Sequence, residues 1–76
     1  MISIEATRLR AEMVIRRTIK ALKSRRVLRM EVARRDVRSV IKNCNDYRSL
    51  KKLSSTLWDL NDMLVHAIKR WLWSKF

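Results

Sequence analysis

Residues 50–71 read LKKLSSTLWDLNDMLVHAIKRW. Apolar side chains return every three or four positions in this segment, at Leu50, Leu53, Leu57, Leu60, Leu64, Ala67 and Trp71. This spacing matches the repeat of an α-helix and places these side chains on one face. A helix with such a long apolar line needs a second surface to cover it. The segment therefore predicts a leucine-rich helix over about residues 46–75 that packs against another helix.

The N-terminal half of the chain carries a similar apolar line. Its members are Ile4, Ala11, Ile15, Ile19, Leu22, Met30, Ala33, Val37, Val40, Ile41 and Cys44. We predict one long basic helix over about residues 3–43. The sequence Ser24-Arg25-Arg26 interrupts the line, and a break there would produce two helices instead. Continuity is favoured because the apolar line resumes in the same phase after the interruption.

Asn43-Cys44-Asn45-Asp46 is the predicted turn between these helices, because Asn tolerates left-handed backbone and Asp46 can cap a following helix. Folding antiparallel about Asn45 brings six apolar pairs into register. They are Val40 with Leu50, Val37 with Leu53, Ala33 with Leu57, Met30 with Leu60, Leu22 with Ile68, and Ile19 with Trp71. Arg26 then faces Leu64, with Asp62 close to its guanidinium. The predicted fold is all-α: one antiparallel helical hairpin domain spanning residues 1–76.

Each predicted helix has a second apolar flank that a hairpin alone leaves uncovered. The flank comprises Val14, Ala21, Leu28 and Val32 on the first helix, and Tyr47, Trp58, Val65, Leu72 and Phe76 on the second. We predict that two hairpins associate into a homodimeric four-helix bundle. Alternatively, residues 2–13 fold back as a short third helix through Ile2, Ala6, Leu9 and Met13, or a different protein docks on the flank.

The composition excludes several classes of site. The chain has no glycine or proline, and phosphate-binding loops and dinucleotide-binding motifs require glycine. One cysteine, Cys44, and one histidine, His66, are too few for a zinc cluster or an internal disulfide. We expect Cys44 to be buried beside the turn. The sequence shows no signal peptide and no membrane-spanning run, which predicts a cytoplasmic protein.

Positive charge dominates, with 19 Lys and Arg against 7 Asp and Glu and a net charge of +12. From Arg16 to Lys42, 11 basic residues accompany only 2 acidic ones, whereas an ordinary solvated helix face mixes both signs. The predicted binding stripe, opposite the apolar line, comprises Arg16, Arg17, Lys20, Lys23, Arg34, Arg35, Arg38 and Lys42. Such a stripe is suited to the phosphates of nucleic acid or to the carboxylates of an acidic protein surface.

The C-terminal segment interleaves aromatic and basic residues. Trp71 belongs to the apolar line, whereas Trp73 is predicted to project near Lys69 and Arg70. An indole there would stack on an unpaired base, lie in a membrane interface or anchor a protein contact, unless it packs on a neighbouring subunit. Asp59, Asp62 and His66 share one face, but we interpret them as solvated side chains with no metal-binding or catalytic role.

These patterns predict a small basic helical binding protein without enzymatic activity, metal or cofactor. The leading hypothesis is phosphate-directed contact with nucleic acid, RNA or DNA, or with a ribonucleoprotein. An alternative is a regulator or inhibitor that binds an acidic surface of a larger enzyme or complex. The third hypothesis, binding of the amphipathic chain to a membrane surface, is disfavoured by the well-formed internal seam.

Overall fold

A computed structural model of the protein describes residues 3–74, and their side chains as far as Leu72. Three α-helices make up this part of the chain: α1 (Ile4–Ser24), α2 (Val27–Cys44) and α3 (Lys51–Ser74), with a 3-10 turn at Arg48–Leu50 leading into α3. Residues 3–74 contain no β-strand. The prediction of an all-α fold is confirmed. The helices lie side by side in a rod of 44 × 17 × 15 Å.

The predicted long helix over residues 3–43 is wrong, because the chain reverses at Arg25. Arg25 has left-handed backbone (φ 56°, ψ 26°), and Arg26 is extended before α2 begins. The Ser24 hydroxyl donates to the Ala21 carbonyl and accepts the Arg26 N–H, which satisfies polar groups within the turn. A left-handed residue other than glycine costs about 1–2 kcal/mol. Packing α1 on α2 offsets that cost, and an uninterrupted helix could not make this contact.

The contact between α1 and α2 is built from small and medium-sized side chains. The buried positions on α1 are Thr7, Ala11, Val14, Thr18 and Ala21. Each of these positions has a buried counterpart on α2 at a similar distance from the turn. In the same order, the counterparts are Cys44, Val40, Val37, Ala33 and Met30. Alanine and threonine let two helix axes approach closely, since the distance between axes depends on the side chains in the contact. This explains why α1 packs more extensively on α2 than on α3.

The leucine line of α3 packs on α2, as predicted, and less extensively on α1. Leu50, Leu57, Leu60, Leu64 and Ile68 are buried, whereas Leu53, Ala67 and Trp71 are partly buried. The helix begins at Lys51 rather than near residue 46, because a 3-10 turn precedes it.

That longer connection corrects the predicted pairing of α2 with α3. Met30 lines a cavity together with Ala67 and Trp71, at least one helical turn beyond its predicted partner Leu60. At the connection, Asn45 has right-handed backbone (φ −64°) instead of the expected left-handed form. Its side-chain oxygen accepts a 2.7 Å hydrogen bond from Ser54. The connection from α2 to α3 is held by backbone hydrogen bonds from the N–H groups of residues 45–47 and 50 and by this side-chain contact.

Three further predictions about the core are corrected. Ile19, predicted to face Trp71, is 42% exposed, and Arg26 lies exposed in the turn rather than across the seam. A third helix does form within the chain, but over Ile4–Ser24 instead of residues 2–13. Its Ala6, Leu9 and Met13 are exposed. Ile2 and Phe76 lie outside the described residues. The homodimer stays a prediction.

Part of the predicted second flank is covered within one chain. Val14 and Ala21 are buried, and Tyr47 and Val65 are partly buried. Four members of the flank remain exposed: Leu28, Val32, Trp58 and Leu72. The intramolecular third helix therefore leaves four of the eight described flank residues exposed.

Most buried polar side chains in the core have a hydrogen-bond partner. The Thr7 hydroxyl donates to the carbonyl of Ser3, the N-cap of α1, at 3.0 Å, and the Thr18 hydroxyl donates to the Val14 carbonyl at 2.8 Å. Asn61 on α3 is the exception among the fully buried polar residues that the structure describes, because it is 5% exposed and its Oδ1 accepts no hydrogen bond. A buried amide without its partner destabilises the fold relative to an apolar residue of similar size.

Asn61→Leu is accordingly expected to raise the free energy of unfolding by about 1–2 kcal/mol. Chemical denaturation followed by circular dichroism measures the change. Thr18→Val is the matched control, because the Thr18 hydroxyl already has a partner and its removal yields a smaller gain. A destabilised Asn61→Leu protein would contradict this prediction, because it would show that the Asn61 amide has a hydrogen-bond partner in the folded protein.

Candidate nucleic-acid interface

The reversal at Arg25 divides the predicted basic stripe between two antiparallel helices. Arg16, Arg17, Lys20 and Lys23 lie on α1, whereas Arg34, Arg35, Arg38 and Lys42 lie on α2. Seven of these eight side chains are exposed, and only Arg34 is half-buried. Because α2 runs back along α1, Lys23 and Lys42 lie at opposite ends of the rod. The eight residues therefore do not form the single line expected of a continuous helix.

Individual members of the stripe also face different surfaces. Arg17 and Lys20 line a shallow groove between α1 and α2, together with Arg29 of α2. Arg34 has its Nε buried without a hydrogen-bond partner among the described residues. Arg34 is thus a poor choice for a surface contact, since much of its side chain is enclosed by the protein.

The tertiary structure instead gathers cations at one end of the rod. A cavity at this end is lined by residues of all three helices and the α1–α2 turn: Leu22, Arg25, Met30, Ala67, Arg70 and Trp71. The turn and the C-terminal part of α3 are therefore neighbours. We call this end the basic pole and define it by seven exposed side chains: Lys20, Lys23, Arg25, Arg26, Arg29, Lys69 and Arg70.

The basic pole combines two predicted sites that are distant in the sequence. Lys20 and Lys23 come from the predicted stripe, and Lys69 and Arg70 come from the predicted aromatic contact. The predicted stripe omitted three arginines that lie at this pole, Arg25, Arg26 and Arg29. The interruption at Ser24-Arg25-Arg26 is the signal that the sequence offers, because a chain reversal at that point places these arginines at the end of the rod.

Negative charge near the basic pole is sparse. Glu31 is the only acidic residue in segments 19–32 and 66–72, and Asp36 of α2 lines the groove that Lys20 and Arg29 also line. Within residues 3–72, no Lys or Arg side chain forms an ion pair with an Asp or Glu. Three helix ends meet at this pole: the positive dipole end of α2 and the negative dipole ends of α1 and α3, so the helix dipoles add no net positive charge to the cations. The protein therefore leaves this concentration of positive charge uncompensated by its own carboxylates.

The cavity at the basic pole has a volume of about 400 Å³. Leu22, Met30, Ala67 and the half-buried Trp71 supply an apolar lining, and Arg25 and Arg70 contribute guanidinium groups. Trp73, the predicted aromatic contact, lies within α3, but its side chain is outside the described set. Trp71 is the indole that the described side chains place in the site.

Other candidate chemistry finds little support in the described residues. Asp59, Asp62 and His66 are exposed, and no group of three metal-ligating side chains occurs among residues that the structure describes. Cys44 is fully buried, as predicted, and its burial raises the pKa of the thiol. Desolvation disfavours the reactive thiolate. None of the described helices has the length and apolarity needed to cross a bilayer.

No protein-family model matches this chain, and no curated protein or solved structure shows significant similarity to it. Function must accordingly be argued from the side chains and their arrangement.

Proposed function

We propose that this protein binds nucleic acid through the backbone phosphates, with the basic pole as its principal contact. One observation carries the proposal: seven exposed cations from separate segments converge at one end of the rod, and no described carboxylate pairs with any of them. Five of the seven positions lie within residues 20–29, and the other two lie on α3. Their convergence is a property of the fold.

Clustering these charges has an energetic cost that a polyanion removes. Two unit charges 8 Å apart in water repel by about 0.5 kcal/mol, and several such pairs would oppose the stability of a small domain. Phosphates of a nucleic acid replace this repulsion with attraction and release condensed counterions on binding. Four of the seven cations are arginines, whose planar guanidinium can hold a phosphate through two hydrogen bonds.

The dimensions of the rod favour contact with the backbone over insertion of the rod into the major groove. Its cross-section is 17 × 15 Å, which exceeds the roughly 12 Å width of the major groove of B-DNA. No single described helix projects from the rod as a recognition helix, because all three helices pack along one another. Phosphates position a protein on nucleic acid but carry no direct sequence information. We therefore propose recognition by charge and shape, for RNA or DNA.

A salt titration tests this proposal directly. Fluorescence anisotropy with a labelled single-stranded oligonucleotide should show tight binding at low salt that weakens steeply as salt is raised. If all seven cations neutralise phosphates, the logarithm of the association constant falls against the logarithm of salt concentration with a slope of about −5. Heparin should compete. An affinity that is absent at low salt, or insensitive to salt, would contradict the proposal.

The groove between α1 and α2 supports a second candidate, an acidic protein partner. Leu28 and Val32 lie in this groove at 77% and 59% exposure, and three cations, Arg17, Lys20 and Arg29, surround them together with one half-buried carboxylate, Asp36. An apolar floor with a cationic rim suits an acidic amphipathic segment. Affinity capture with and without nuclease separates the candidates. A protein that stays bound after nuclease treatment favours the second, whereas one released by nuclease favours the first.

A further inference from the structure

We infer that the cavity at the basic pole accepts one unpaired nucleobase, stacked against Trp71, while Arg25 and Arg70 hold the adjoining phosphate. This inference deepens the proposed function, on which it rests, by naming unpaired nucleotides as the preferred ligand. Phosphate binding alone requires only an exposed cationic surface. The cavity adds a half-open, largely apolar hollow beside that surface.

The composition of the cavity matches the two halves of a nucleotide. Its volume of about 400 Å³ falls in the range of small-molecule sites. The apolar wall formed by Leu22, Met30, Ala67 and Trp71 suits the faces of an aromatic base. The guanidinium groups of Arg25 and Arg70 suit a phosphate. A base within a duplex could not enter such a space, because it remains stacked between its neighbours.

The backbone at Arg25 gives independent support. Left-handed residues at helix ends are usually glycine or asparagine, since other side chains are strained there. This chain instead holds an arginine at φ 56°, and the same residue lines the cavity. Backbone strain retained at a position that lines a cavity is typical of a ligand-binding role. The guanidinium would then be the reason for tolerating the strained turn.

The direct test compares a single-stranded oligonucleotide with an abasic strand of the same length. Both carry the same phosphates, but only the first has bases. Stacking of one base contributes enough affinity to expect about tenfold tighter binding of the base-containing strand. Equal affinity for the two strands would overturn the base site. Because both strands would still bind in a salt-dependent way, that result would leave phosphate binding intact, whereas failure of the proposed function would abolish both interactions.

Ala67→Met is the variant that isolates the cavity. Ala67 is partly buried in the cavity wall, so a longer apolar side chain fills the space without removing any cation. We expect the variant to bind the abasic strand as the unmodified protein does and to lose the preference for the base-containing strand. A preference that survives Ala67→Met would overturn the inference.

Arg25→Gly provides a second test that does not depend on filling the cavity. Glycine relieves the left-handed strain, so Tm is expected to rise by about 5 °C in thermal unfolding. The same variant is expected to lose about tenfold in affinity for the single strand and much less for a duplex. Arg26→Ala is the matched control, because it removes the neighbouring charge and should weaken both interactions equally. A stabilised Arg25→Gly protein with an unchanged preference for single strands would overturn the role of Arg25.

Discussion

Leu57→Asp is expected to leave the chain without a cooperative fold. Leu57 is fully buried at the centre of the α3 seam. Removing a buried leucine side chain costs about 2–5 kcal/mol, and placing a carboxylate in the same space adds a further penalty. A single core in a chain of this size rarely supplies more than about 3–5 kcal/mol of stability. Circular dichroism should therefore show loss of the helical signal, and thermal melts should lose their cooperative transition.

Leu28→Asp is the matched control for this experiment. It introduces the same change of residue type at a leucine that is 77% exposed. Leu28 also lies in the first turn of α2, which has no acidic residue, so a carboxylate there interacts favourably with the helix dipole. The free energy of unfolding of Leu28→Asp should differ from that of the unmodified protein by less than about 0.5 kcal/mol. A folded and stable Leu57→Asp protein would mean that α3 does not pack through its leucine line.

Reversing three charges of the basic pole is expected to reduce nucleic-acid affinity by about 100-fold or more. The triple variant carries Arg26→Glu, Arg29→Glu and Lys69→Glu, all at exposed positions. Each change removes one phosphate contact and places a carboxylate near the remaining phosphates. Two of the new acids lie at the N-terminus of α2, where the helix dipole tolerates them, so helicity should be retained. Anisotropy titrations at low salt measure the loss.

The control triple reverses Lys42, Arg48 and Lys52, which are exposed at the other end of the rod. Each reversal lowers the net charge by two, so both triples change the protein from +12 to +6. The control should lose about tenfold or less, because it changes only the long-range attraction, which salt screens. Equal losses in the two triples would show that overall charge, rather than the basic pole, determines binding.

The helical character of this chain could be predicted because helix formation depends on local features. The apolar repeat from Leu50 to Trp71 predicts one face of a helix, and that face is buried in the structure as expected. The chain also lacks glycine and proline, the two residues that most disfavour the interior of a helix. Burial of Cys44 was also predictable, since it lies on the apolar line beside the second turn.

The turn at Arg25 could not be predicted in this way, because it depends on the difference in free energy between one long helix and two shorter helices packed together. Nothing in Ser24-Arg25-Arg26 favours left-handed backbone locally, since arginine is strained there. The reversal is favourable only once Ala11, Val14 and Ala21 are buried against α2. Because the apolar repeat continues in phase on both sides of the turn, the sequence pattern does not distinguish one continuous helix from two helices.

The sequence by itself therefore determined the helices' apolar faces, the excess of positive charge and the classes of site that the composition excludes. Only the tertiary structure decided where the charge collects. Lys69 and Arg70 join Lys23 and Arg26 at one pole because the chain reverses twice, and contacts between distant segments depend on packing energies that no local pattern contains. The cavity beside Trp71 arises for the same reason, since its walls come from all three helices.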